Sequence, residues 1–315
     1  MKGSTYSLLL HIIAVMSSLM NALLIFLYFR CPLKNMRTYK YGFLLTAIQD
    51  LVTSLCTLAL IPRVISRNSY LIFIATGYLS DFPYGQILLG TVFVMVCLSL
   101  LIITNNFIYR YIQVCQMRYS YIYARKKSII IICVANMAFL LNCGIVLVVC
   151  AWPSVHFRQQ LYKERISVDA TALEQKSFMG FSMEHSVNNL TIFLMIDGLL
   201  MMVMFTMIGS YSAFRIRSTL KERSVSDKTI NMHKKMFHTL LLQCACPTLL
   251  VYIPLCVCYA IVFASVPTDR TVTDMIGIVF LLVDECCNVV VASARECNLG
   301  RFFLYWAFLS RRTSE

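Results

Sequence analysis

"QILLGTVFVMVCLSLLIITNNFIYRYIQVC", residues 86–115, decides the fold. From Gln86 to Ile108 it carries no charge, and then Arg110 arrives between Tyr109 and Tyr111. At ~1.5 Å per residue, a helix over the uncharged part is about 35 Å long, enough to cross a hydrocarbon core of ~30 Å. Lipid offers the backbone no partners, so a span of this length closes its hydrogen bonds as an α-helix. A membrane barrel would show segments of ~10 alternating residues instead.

Six more windows of this kind lie along the chain. The full set runs 6–29, 41–61, 86–108, 128–151, 188–212, 237–262 and 273–294, and none of the seven contains a lysine or arginine. Of the 315 residues 59% are hydrophobic and 14% charged. Soluble domains carry charge on about a quarter of their residues, so a water-facing surface cannot be built here. The reading is an all-α membrane protein, one seven-transmembrane helix bundle over 1–315. The run Tyr70–Leu79 is apolar but too short to span, and reads as interfacial or as an early start of the third helix.

The cations decide the orientation. Segments 30–40, 109–127, 213–236 and 295–315 hold 20 of the 28 lysines and arginines. By the positive-inside rule these segments are cytoplasmic, the N-terminus is outside and the tail inside. The net charge of +13 then reflects topology and attraction to the anionic inner leaflet, with no need of nucleic acid. The first window is longer than a signal-peptide core and lacks a small-residue cleavage site, so it reads as an uncleaved anchor. About five residues precede it, and no extracellular domain is expected. After the seventh window, "FFLYWAFL" (302–309) between Arg301 and Arg311 fits a short interfacial helix in the cytoplasmic tail, 295–315.

The fourteen cysteines fall within windows or at their cytoplasmic ends, where they read as small packing residues. "CAC" and "CVC" lack the spacing and partner histidines of a zinc site, and no metal or other cofactor is expected. Asn189-Leu190-Thr191 is a glycosylation sequon, but it abuts the fifth window and is expected empty.

Seven windows, an outside N-terminus, an arginine closing the third and a basic third inner loop resemble a G-protein-coupled receptor. Particular strings narrow this. "LMNALLIFLYFRCPLKNMRTYKYGFLLTAIQDL" (19–51) resembles the opening of nematode serpentine chemoreceptors of the Str superfamily, through Asn21, Leu23, Leu24, Pro32, Met36, Arg37, Tyr39, Thr46 and Asp50. "YRY" (109–111) matches that group's substitute for the Asp-Arg-Tyr of rhodopsin-like receptors. "MHKKMFHTLLLQCACP" (232–247) is similar to the start of its sixth helix. The mix is most similar to serpentine receptor class D. It implies a chemosensory receptor for a small odorant or pheromone, signalling through a heterotrimeric G protein. It also implies the plasma membrane, in the sensory cilium of a chemosensory neuron. One departure stands out: Asp284 is followed by Glu285 where the family usually has proline.

Carboxylates inside spans are costly, about 3 kcal/mol at a helix centre, and mark candidate sites. Asp50 and Asp284, joined by Asn105 and Asn106, are candidates for a wet polar core between helices two, three and seven. The plainer alternative for each carboxylate is a hydrogen-bonded residue at a helix interface. Asp197 is a candidate ligand contact, with Phe93, Phe193, Tyr252 and Tyr259 as apolar lining or, more plainly, as packing. Arg110 reads either as a charge snorkelling to cytoplasmic water between its tyrosines or as a switch residue. Tyr109, Arg110, Tyr111, Arg215, Arg217, Lys221, Lys234 and Lys235 form the candidate G-protein face. Pro247 and Pro254 are the candidate hinge of helix six.

The chain has no HExxH and no GxSxG, so an enzyme is not expected. The remaining alternative is a small-solute transporter or ligand-gated channel using the intramembrane carboxylates, though no inverted repeat of broken helices is seen. The orientation is tested by inserted glycosylation tags: a tag near Glu164 is modified and one near Ser226 is not. The reverse pattern would overturn it.

Overall fold

The structure, a computed structural model, describes residues 3–30, 37–67, 70–123, 125–163, 176–182 and 188–222, with Phe237 and Leu241 besides. The helices expected over 237–262 and 273–294 and the interfacial helix after them lie outside the described residues. So do Lys234, Lys235, Pro247, Tyr252, Pro254, Tyr259 and Asp284.

Helices dominate. In chain order they are α1 (Gly3–Arg30), α2 (Arg37–Leu60), α3 (Tyr84–Cys115), α4 (Lys126–Val146), α5 (Val155–Lys163) and α6 (Asn189–Glu222). A 3-10 segment, Met117–Tyr123, joins α3 to α4, and one π-helical turn, Leu147–Ala151, extends α4. Four of these helices are long and apolar enough to cross a membrane: Thr5–Phe26, Tyr84–Cys115, Lys126–Ala151 and Asn189–Lys221. The apolar part of α2, Leu44–Leu60, is shorter. Large apolar side chains on α1, α4 and α6 point outward, among them Leu19, Phe26, Ile131, Leu141, Leu200 and Met207. That surface would be ruinous in water and is ordinary in lipid.

Helix contacts use small and polar residues, because lipid gives apolar helices no reason to associate. Between α1 and α2 the Ser17 and Ser54 hydroxyls hydrogen-bond at 2.7 Å. Asn21, wholly buried, donates to the Ser17 carbonyl at 3.1 Å. Gln49 of α2 donates to the Met95 carbonyl of α3 at 3.3 Å, which ties the second helix to the third.

The segment Tyr70–Leu79 is not an early start of α3, which begins at Tyr84. Tyr70–Ala75 is a strand, β2, in the middle of a three-stranded antiparallel sheet. It pairs with β1 (Pro62–Arg67) and with β3 (Phe178–Ser182), which comes from the 152–187 connection. The alternation of β2 explains its composition. Tyr70, Ile72 and Ile74 pack with Phe157 and Leu161 of α5 and with Phe178 of β3. On the other face Phe73 and Ala75 meet Leu60, Leu89 and Leu147 at the helix ends, with Met179 of β3. A strand covered on both faces must be apolar throughout.

The sheet is fastened to the bundle at several points. Tyr6 Oη of α1 donates to the Pro62 carbonyl at 3.0 Å. The chain passes from α2 into β1 within one residue, Ile61, whose φ of 44° is rare for a β-branched side chain. The carbonyl of Leu60 then accepts from Gly77 N–H at 2.7 Å and from Thr76 N–H at 2.9 Å. Thr76 Oγ1 donates to the Ile61 carbonyl at 2.6 Å.

Gly180 is where β3 meets β2 most closely. A Cβ there would sit 2.3 Å from the Leu71 carbonyl oxygen and 2.9 Å from Ile72 Cα, both backbone atoms. Gly144, by contrast, faces open space. Gly180→Val therefore destabilises the purified protein by about 1–3 kcal/mol in detergent, as overpacking does elsewhere. Gly144→Ala is the matched control and leaves the thermal midpoint unchanged or slightly raised; equal midpoints for both variants would contradict this packing.

Candidate functional site

The bundle has two chemically distinct ends. The end away from the sheet is strongly basic. Arg118, Arg125, Lys126 and Lys127 are exposed around the start of α4, and Arg215, Arg217 and Lys221 are exposed along the last turns of α6. Tyrosines line it: Tyr119 and Tyr121 are exposed, and the Arg125 guanidinium lies 4.9 Å from the Tyr121 ring centroid.

Arg110 sits at the root of this end but not in its water. It is 5% exposed, inside the bundle. The snorkelling alternative is thereby corrected: the last turns of α3 are packed against the 3-10 segment and α6, so the guanidinium does not reach the rim. Its neighbours are held in place. Tyr109 meets Tyr123 edge to face at 4.8 Å, and Gln113 Nε2 donates to the Tyr109 hydroxyl. Tyr111 accepts from Gln116 Nε2 at 3.1 Å and lies against Tyr211 of α6. One turn further, Cys115 Sγ and Thr219 Oγ1 are 3.2 Å apart, closing α3 onto α6. Burial, and then Tyr109, push the Tyr123 phenol above its ordinary value.

Mid-bundle, two amide-centred contacts link α4 to its neighbours. Asn105 Nδ2 of α3 donates to Asn136 Oδ1 of α4 at 3.2 Å and to the Leu101 carbonyl at 2.8 Å. Asn105 thus engages the fourth helix, not the second, and Asn106 is half-buried beside it. Asn142 Nδ2 of α4 donates to Asp197 Oδ2 of α6 at 2.7 Å. Next to this pair the thiols of Cys97 on α3 and Cys143 on α4 lie close to one another. Asp50 is buried in α2, one turn from Ser54, whose hydroxyl donates to the Asp50 carbonyl at 2.8 Å.

Two of the candidate lining residues turn away from the bundle. Phe93 is exposed and Phe193 is 67% exposed, the positions of lipid-facing side chains. Sequence reasoning missed the amides Gln49, Gln86, Asn136 and Asn142. The available signal was the same as for the carboxylates: a polar side chain inside a window that holds no lysine or arginine. Among the described residues no group of three His, Cys, Asp or Glu could hold a metal ion. The sequon serine/threonine position, Thr191, is buried in the first turn of α6.

The chain matches the family of serpentine type 7TM GPCR chemoreceptors, Str, over residues 7–285. That is a family of chemoreceptors and not of enzymes. Among curated proteins none matches.

The Asn142–Asp197 contact is measurable. A double-mutant cycle of Asn142→Ala and Asp197→Ala, read by unfolding of the purified protein, gives a coupling of about 0.6–1.7 kcal/mol, the range for polar contacts between membrane helices. Additivity within ~0.3 kcal/mol would contradict the contact.

Proposed function

Because the chain belongs to the Str family of serpentine seven-transmembrane chemoreceptors, a family of multi-pass membrane receptors, we propose the following division of labour. The sheet end faces outside and takes up a small-molecule odorant or pheromone. The basic end faces the cytoplasm and activates a heterotrimeric G protein, with anionic inner-leaflet lipid against its flanks. The receptor works in the plasma membrane of a chemosensory neuron, in its sensory cilium, and is most similar to serpentine receptor class D.

The observation that carries this reading is the asymmetry of the two ends. Exposed Arg118, Arg125, Lys126, Lys127, Arg215, Arg217 and Lys221 cluster at the inner end. Such a face attracts acidic protein surface and anionic lipid alike. The opposite end is closed over by a sheet whose inner face is apolar. A small apolar odorant suits that chemistry.

Helix α3 touches both ends. Its first turns lie under the sheet and its last turns carry Arg110. A buried guanidinium is tolerated only with polar partners, and it changes partners at large cost. Arg110 is thus suited to hold one arrangement of α3 and α6 and to release it when the bundle shifts. Lys234, Lys235, Pro247, Pro254 and Asp284 complete the proposal from sequence, as inner face, hinge of the sixth helix and partner in the polar core. Asp197 is assigned to the α4–α6 contact, through which a ligand would act indirectly. A transporter using the intramembrane carboxylates gains no support, since Asp197 is already engaged by Asn142.

The test is nucleotide exchange on a heterotrimeric G protein in cells expressing the receptor, over a panel of small volatile compounds. An active compound loses its response in Arg110→Ala while surface expression is kept. A response unchanged by that substitution would remove Arg110 from the switch.

A further inference from the structure

We infer that the underside of the sheet binds a small uncharged ligand carrying a carboxamide-type group, a hydrogen-bond donor and acceptor side by side, and that Gln86 is the residue that reads it. This deepens the reading of the sheet end as the ligand-binding end and rests on it.

Gln86 lies in the first turns of α3 and is 1% exposed. Neither Nε2 nor Oε1 of its amide has a hydrogen-bond partner. Removing both ends of an amide from water with no replacement is among the least favourable things a fold can do with a side chain. Two more buried polar atoms share this state nearby: Ser177 Oγ and Thr57 Oγ1.

The three converge. Ser177 N–H donates to the Ser80 carbonyl at 2.7 Å, and that same oxygen lies 2.6 Å from where a Cβ on Gly85, the residue before Gln86, would stand. The Ser177 carbonyl accepts from Ala75 N–H at 3.0 Å. Ser177 directly precedes β3, two residues before Met179. Met179 packs with Leu60, Ala75, Leu89 and Leu147. Leu89 is one turn from Gln86 on α3, and Leu60 is one turn from Thr57 on α2. Three orphaned polar groups, from α2, α3 and the residue before β3, therefore stand beside members of one apolar cluster.

The chemistry of these groups names the ligand class. A glutamine amide offers donors and an acceptor in one plane, and a carboxamide is its direct complement. The two hydroxyls can each donate or accept. The cluster itself is aliphatic, so an ion would lose its hydration with no counter-charge, whereas a neutral head on a short hydrocarbon body is matched at both ends. The unpaired amide also has a consequence without ligand: a leucine of similar size at position 86 removes the penalty and makes the empty receptor more stable.

The experiment uses the full-length receptor purified in detergent, with thermal unfolding as the readout and hexanamide, 2-heptanone and heptane as probes. Hexanamide raises Tm saturably, 2-heptanone, which only accepts, raises it less, and heptane leaves it unchanged. Gln86→Leu abolishes the hexanamide shift and raises the ligand-free Tm by about 2–4 °C; Gln86→Met serves as a second variant of different shape. A hexanamide shift that survives both substitutions, its absence from the unmodified receptor, or a lowered ligand-free Tm in both variants would overturn the assignment. No G protein is present, so a receptor that binds hexanamide and fails to signal would count against the coupling reading alone.

Discussion

Hydrocarbon gives an amide nothing to bond to, so a chain immersed in it must close its backbone hydrogen bonds within its own segments. That constraint shapes every part of this receptor. It makes the long windows helices, and it removes cations from them to the two rims. It also turns each polar side chain inside a span into a demand for a partner. The partners found are short and interhelical: Ser17 with Ser54, Gln49 with the Met95 carbonyl, Asn105 with Asn136, and Asn142 with Asp197. In a solvent where apolar faces gain nothing by meeting, these contacts specify which helices are neighbours.

Where the chain leaves the lipid, the same constraint takes a different form. Extended backbone buried there must still be paired, and β2 pairs with β1 on one side and with β3, from a connection far away in sequence, on the other. The sheet then buries its inner face on the ends of α2, α3 and the π-helical extension of α4. Helix α3 runs from that cap to the tyrosine collar around Arg110, a rod of about 48 Å at the standard rise.

Much of this was legible in the sequence, and the failures have causes. The uncharged windows and the arginine after the third were readable because lipid enforces them residue by residue. The sheet was not, because β2 is buried on both faces and an apolar run of that length carries no period to separate strand from helix. The burial of Arg110 was also hidden: an arginine flanked by tyrosines at a helix end has the same sequence whether it faces water or α6. The orphaned amide of Gln86 could not be seen at all, since a window shows that a glutamine is present and not whether anything answers it. The bond from Asn105 to Asn136 of α4 was not legible either, because a helix residue alone does not say which neighbour it faces.

The account rests on which rim the cytoplasm touches, and one measurement reaches that directly. An epitope fused after Glu315 is stained with antibody in intact cells and again after permeabilisation. The arrangement described here gives no signal from intact cells and a full signal once the membrane is opened. Full staining of intact cells would place the basic rim outside and contradict the account.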